Sequence, residues 1–246
     1  MQLTIFGTIR SLLPFSTSRA ERDREIAKIK AEDHGYTKGH ISTRSPCPGL
    51  NSLANQGYLP RDGKNITLPR VEAALITALH MSPTLAYTLA SQLRPFLRAD
   101  RTFDLPATRQ HGVMERDVSF TRLDFRHGDN YTFQPAMFEA MLRDAGPGEV
   151  TTVESLARTY KRRQREEKED GSKGLGLRLY VVSLVQTVSF LHSAEVEERM
   201  SREVIGNLFE EERFAEVILE NEKTRTLMGL VGMTLRLAWH VWFSRE

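Results

Sequence analysis

The stretch Arg44-Ser45-Pro46-Cys47-Pro48-Gly49-Leu50-Asn51-Ser52-Leu53-Ala54-Asn55-Gln56-Gly57-Tyr58-Leu59-Pro60-Arg61-Asp62-Gly63 decides the reading of this chain. Pro46 and Pro48 clamp the cysteine between them. Pro48 fixes the backbone where a helix can begin, and Gly57 offers that helix an end. Cys47 is thereby set at a helix N-terminus, where free N–H groups and the positive end of the peptide dipoles favour a thiolate. It is the only cysteine in 246 residues. No intramolecular disulfide and no all-cysteine zinc site can form, so the fold holds by packing and any sulfur chemistry has one address. The bland alternative is a buried structural cysteine.

Working outward, the composition is that of a folded domain. It is 40% hydrophobic and 27% charged, which excludes global disorder. A net charge of +2 gives no push toward nucleic acid. Helical periodicity runs through Ala20–Ala31, Val71–Met81, a Ser82-capped segment opening at Pro83, and Pro135–Ala145. Thr151 and Glu154 form a capping-box pattern ahead of a long charged helix. Leu177–His192 is nearly all apolar and is expected to be buried on all sides. Ser201 caps a further helix through about Phe214. The expectation is an all-α domain with long loops at 35–70 and 98–133. Loops of that length in a compact domain are usually functional.

The second loop contains Glu115-Arg116-Asp117-Val118-Ser119-Phe120-Thr121-Arg122-Leu123-Asp124. Glu115, Asp117 and Ser119 offer hard oxygens at alternate positions, a set that suits Mg²⁺. A solvated charged loop would show the same residues.

A thiolate held rigidly at a helix start is a good axial ligand for haem iron. The segment from Ser45 to Thr67 resembles the signature of the fungal haem-thiolate peroxidases, the chloroperoxidase and unspecific peroxygenase family. There Pro-Cys-Pro is followed by an asparagine, an Asn-His-Gly-Tyr-like element and Pro-Arg-Asp/Asn-Gly. Gln56 stands here for the usual histidine of that element. The resemblance implies a single chloroperoxidase-like helical domain over 33–220, an N-terminal extension over 1–32 and an apolar C-terminal helix within 221–246. It implies haem b, with Cys47 as the iron ligand and Pro46, Pro48 and Asn51 around it. It also implies that Glu115, Asp117 and Ser119, with the Arg116 carbonyl, hold a magnesium ion against a haem propionate.

Two departures bear on activity. The chloroperoxidase-like branch has histidine where this chain has Arg116, which cannot shuttle protons near neutral pH. The family's distal acid–base glutamate should fall on the apolar helix, yet no Asp or Glu occurs from Gly171 to Ala194. Gln186 is the first choice for that position and Ser183 the second. A glutamine can hydrogen-bond peroxide but cannot shuttle its proton. His192 is the nearest titratable side chain and reads as a buried, satisfied histidine.

Three functions follow from the resemblance. The first is a peroxidase or peroxygenase that uses hydrogen peroxide on a hydrophobic or phenolic small molecule, for example in fungal secondary metabolism. The second is a haem-binding relative without peroxidase turnover. The third is a haem-free, membrane-associated interaction protein. The charge run Arg158–Asp170 reads as a solvated helix with Arg162/Glu166 and Arg163/Glu167 pairs rather than a nucleic-acid site. Leu227–Phe243 reads as a packed terminal helix or one lying on a membrane surface. Met1–Phe15 lacks a secretory pattern, which favours an intracellular protein. Phe120, Phe125, Phe133 and Phe138 are pocket or core residues.

Overall fold

In a computed structural model the chain is described over residues 19–171, 174–194 and 197–243. The N-terminal targeting question therefore lies outside the described residues. The all-α expectation holds. The helices are α1 (Arg19–Ile29), α2 (Pro48–Asn55), α3 (Leu68–Leu79), α4 (Pro83–Ser91), α5 (Pro135–Ala145), α6 (Val153–Glu169), α7 (Leu177–Ala194), α8 (Arg202–Phe209), α9 (Glu216–Leu219) and α10 (Leu227–Phe243). A two-stranded antiparallel ribbon, β1 (Ile66–Thr67) with β2 (Thr102–Phe103), ties the two long loops together.

Local chemistry explains most of the boundaries. Pro48, Pro69, Pro83 and Pro135 sit in the first turns of α2, α3, α4 and α5, where a missing N–H costs nothing. Thr67, Ser82 and Ser201 accept the cap hydrogen bonds of α3, α4 and α8. The capping box of α6 uses Thr152 and Ser155, one residue past the Thr151/Glu154 pair that the sequence suggested. Thr151 instead pairs with Met200 across an antiparallel bridge.

Two expectations about burial need correction. Helix α7 is not buried all round: Val188 and Leu191 are core, but Leu177 is 83% and Val181 51% exposed. The charged helix α6 is not merely solvated. Arg162 and Glu166 do pair at 2.7 Å. Arg163, however, turns inward and is 7% exposed. Helix α10 packs one face, Leu230, Met233, Leu237 and Ala238, against α6 and α7. Its other face leaves Met228, Leu235, Trp239 and Trp242 in solvent. No helix among the described residues is long and apolar enough to cross a membrane.

Candidate active site

The cysteine loop is held by its own signature residues. Asn51 takes the Ser45 N–H on its Oδ1 at 2.8 Å and donates from Nδ2 to the Ser45 carbonyl (2.8 Å) and to Glu212 Oε1 (2.7 Å). Asn55 Oδ1 accepts from Arg44 Nε and Nη2 at 2.9 and 2.6 Å, while its Nδ2 donates to the Glu212 carbonyl at 3.0 Å. Gln56 clasps the backbone of Phe214 from both sides: Nε2 donates to its carbonyl (3.1 Å) and Oε1 accepts its N–H (2.8 Å). The chain after α8 is thus drawn out of helix and onto α2. For this reason α8 stops at Phe209 rather than Phe214, and Glu212 takes a left-handed backbone (φ 51°). Gly57 (φ 74°) is obligatory as well, since a Cβ there would lie 2.4 Å from the Asp33 carbonyl.

This clasp aims Cys47 at a cavity of about 330 Å³. Pro46, Cys47 and Pro48 line it, with Leu53, Leu75, Leu79 and Phe190 supplying apolar wall. Asn51 is not on that wall; it is a strut of the loop. Cys47 is the N-cap of α2 but its sulfur makes no cap hydrogen bond. Burial pushes the thiol above its ordinary value, while the N–H groups of Leu50 and Gly49 and the charge of Arg122 pull it down. The expected thiolate-favouring groups are therefore present, but desolvation outweighs them.

The acidic loop forms another part of the wall, with Glu115, Arg116, Asp117 and Ser119 on the cavity. Its backbone is strained at Val118, a β-branched residue at φ 68°. Asp124 compensates by accepting the Val118 N–H at 2.8 Å, and Arg163 of α6 grips both Asp124 oxygens at 3.0 and 2.9 Å. Arg163 Nε also donates to the Ser119 carbonyl at 2.8 Å. The basic run of α6 is thus the buttress of this loop.

Two of the three expected cation ligands, Glu115 and Asp117, stand together with a histidine. One ring nitrogen of His111 and one oxygen each of Glu115 and Asp117 lie within 4.8 Å of one another. His111 Nδ1 stands 2.8 Å from Glu115 Oε2 and its Nε2 3.8 Å from Asp117 Oδ2. Glu115 Oε1 is shut off from solvent without a hydrogen-bond partner, and burial raises the Glu115 pKa. Asn130 approaches and helps lower that pKa without reaching hydrogen-bond geometry at Oε1. Ser119, the third expected ligand, lines the same cavity. The sequence reading missed His111. The tell was a histidine four residues ahead of the glutamate with Gly112 between them: Gly112 (φ 77°) turns the chain so that its N–H meets the Glu115 carbonyl at 2.9 Å.

Helix α7 completes the cavity with Gln186, Thr187, Ser189 and Phe190. Gln186 donates from Nε2 to the Met114 carbonyl at 3.3 Å, and Arg116 from Nη2 to the Ser183 carbonyl at 3.3 Å. Ser183, the second choice for the glutamate position, is buried against Tyr160 and is not on the cavity wall. Burial pulls Arg116 down to about 10, which still leaves it a cation at neutral pH. His192 is buried and donates from Nε2 to the Thr226 carbonyl at 3.0 Å, away from the cavity. Of the four phenylalanines only Phe120 lines the cavity; Phe125 stacks on His111 instead.

These residues fit a haem in kind: a sulfur at a rigid helix start, apolar walls, and buried N–H groups on Arg122, Nε and Nη2, that lack hydrogen-bond acceptors. Unmet cationic donors in an apolar cavity call for carboxylates, and a porphyrin carries two.

Comparison with known proteins agrees. A family model described as peroxidase, family 2, matches residues 34–226. A chloroperoxidase of Leptoxyphium fumago is 28% identical over 156 residues, 53% of this chain and 42% of that one. An aromatic peroxygenase of Cyclocybe aegerita is 32% identical over 117 residues, 40% of this chain and 32% of its own. The dothistromin biosynthesis peroxidase dotB of Dothistroma septosporum is 29% identical over 136 residues, 47% of this chain and 33% of its own. The chain therefore spans less than half the length of each of these relatives. With the match covering most of its residues, the chain belongs to peroxidase family 2, the fungal haem-thiolate peroxidases.

Proposed function

We propose that the chain is a haem-thiolate peroxidase or peroxygenase that uses hydrogen peroxide to oxidise a hydrophobic or phenolic small molecule. The observation that carries this is the clasp of Asn51, Asn55 and Gln56 onto residues 212–214, which fixes the sulfur of Cys47 on the wall of an otherwise largely apolar cavity. Haem b, when bound, would supply the iron for peroxide chemistry, and electron donation from a thiolate ligand would favour O–O cleavage there. Cys47 would be its ligand, with Pro46 and Pro48 keeping the loop rigid around the sulfur. Arg122, 3.5 Å from Glu212 and with Nε unmet, would lend charge near that sulfur or take a propionate. Arg116 and Gln186 would orient peroxide from the α7 side through N–H donors. Similarity to the dothistromin biosynthesis peroxidase supports a place in secondary-metabolite biosynthesis. The test is stoichiometric haem uptake by the purified chain together with peroxide-dependent oxidation of a phenol.

The second reading, haem binding without peroxidase turnover, is favoured by one observation: α7 brings no carboxylate to the cavity.

The loop of His111, Glu115 and Asp117 would hold Mg²⁺ or a related divalent cation beside the haem. His111→Ala is expected to weaken divalent-cation binding roughly 10- to 100-fold, by loss of a ligand or of the group that orients Glu115. Calorimetric titration with Mg²⁺ and Mn²⁺ measures this, and unchanged affinity would remove His111 from the site.

A further inference from the structure

We propose that the substrate itself brings the missing acid–base group: an organic acid with a hydrocarbon body, whose ionised carboxylate pairs with Arg116 and relays the peroxide proton. This rests on the haem-peroxidase reading above and names its substrate class. The argument begins with Arg116 and Gln186. Their head groups are held on adjacent positions of one helix wall, Arg116 by the Ser183 carbonyl and Gln186 by the Met114 carbonyl, and both line the cavity. Arg116 Nη1 is sealed from solvent and meets no acceptor. Among the described residues no carboxylate lies within ion-pair distance of Arg116, although Glu115 is its sequence neighbour and feels its charge. A buried guanidinium without a counter-ion is costly, and a carboxylate is the anion its planar fork matches.

Helix α7 itself brings no carboxylate to this wall. Peroxide activation needs a base for the proton on one oxygen and an acid for the other oxygen as it leaves. Of the carboxylates on the cavity, Glu115 turns Oε2 and Asp117 Oδ2 to His111, Glu115 Oε1 is the one competing base, which the Glu115→Gln variant below tests, and among the described residues no histidine lines the cavity. A carboxylate docked on Arg116 Nη1 supplies the absent function beside Gln186. It takes the proton from one peroxide oxygen and gives it to the other, which departs as water as the O–O bond breaks; the remaining oxygen, with its two oxidising equivalents, is spent on the two-electron oxidation of the substrate, so the carboxylate is regenerated and no net proton is consumed. Gln186 retains one amide N–H and its carbonyl to hold the peroxide in place. The remaining wall, with Leu75, Leu79, Phe190 and Phe209, suits an aliphatic or aromatic body.

The experiment uses the haem-loaded chain, hydrogen peroxide, and a phenol that carries no carboxylate as reporter. Heptanoate is added as the acid and methyl heptanoate as its uncharged match. The expected result is acceleration of phenol oxidation by heptanoate of roughly 10²-fold or more, with none from the ester. Arg116→Gln is expected to weaken heptanoate binding, measured by calorimetry, roughly 10- to 100-fold while haem content stays stoichiometric. Arg116→Lys should recover part of that affinity, which separates a lost charge from a damaged fold. Equal binding of acid and ester overturns the proposal. So does an Arg116→Gln protein that loses haem instead, because Arg116 then serves a porphyrin propionate. Fast acid-independent turnover that Glu115→Gln abolishes also overturns it, because the base is then Glu115. A wild-type chain that takes up no haem overturns both readings, whereas a haem-loaded chain indifferent to heptanoate overturns this one alone.

Discussion

Gln186→Glu is expected to raise peroxide-dependent turnover of the haem-loaded chain by roughly 10²- to 10⁴-fold, the usual worth of a positioned acid–base group. The physical basis is local. Gln186 is on the cavity wall, so an isosteric carboxylate would be delivered to the same wall; having no N–H for the Met114 carbonyl that now holds the amide, it would turn from that oxygen toward the Arg116 guanidinium. The neighbouring Arg116 cation would keep it ionised and correctly turned. The measurement is initial rate against peroxide concentration for the variant and the parent at neutral pH. A larger kcat with little change in KM for the phenol is the expected pattern, because the added group acts on the peroxide step. Equal rates would favour the reading in which the chain binds haem without peroxidase turnover.

The second large effect is on stability. Arg163→Ala is expected to cost about 3–5 kcal/mol, because it strands Asp124 as an unpaired buried carboxylate. That corresponds to a fall in Tm of roughly 6–20 °C for a chain of this size. The loss does not end at one ion pair. Asp124 holds the N–H of Val118, whose left-handed backbone persists only because its surroundings impose it, and Arg163 also holds the Ser119 carbonyl. Arg163→Lys should recover only part of the stability, since an ammonium cannot span both Asp124 oxygens and the carbonyl at once. Thermal unfolding of both variants, with cation affinity measured in parallel, tests the buttress. A Tm within a degree or two of the parent would show that the loop holds its shape without it.

Much of the molecule is legible in the sequence because its signals are local. Pro135 and Gly146 bracket α5, and the helix occupies the expected Pro135–Ala145. Pro48 after Cys47 does open a helix, and the cysteine segment and the acidic loop do share one cavity. What the sequence could not show depends on contacts far along the chain. Arg163 reads as one member of a surface charge run because i,i+4 spacing says nothing about Asp124, which lies 39 residues earlier. The resemblance implies that Asn51 stands around the cofactor, but the sequence gives no sign that its amide reaches Glu212, 161 residues later, and ties the cysteine loop through Ser45. The end of α8 falls short of the expected Phe214 because the bonds that pull residues 212–214 away from helix come from Asn55 and Gln56. His111 escapes a reading by periodicity because it is the turn at Gly112 that brings it over Glu115.

One spectrum bears on the central claim most directly: the ferrous carbon monoxide adduct of the purified, haem-supplied chain beside that of Cys47→Ala. Thiolate ligation gives a strongly red-shifted main band, and the account expects that band in the parent and its loss in the variant. A parent with an unshifted band, or a variant whose spectrum matches the parent's, would contradict it.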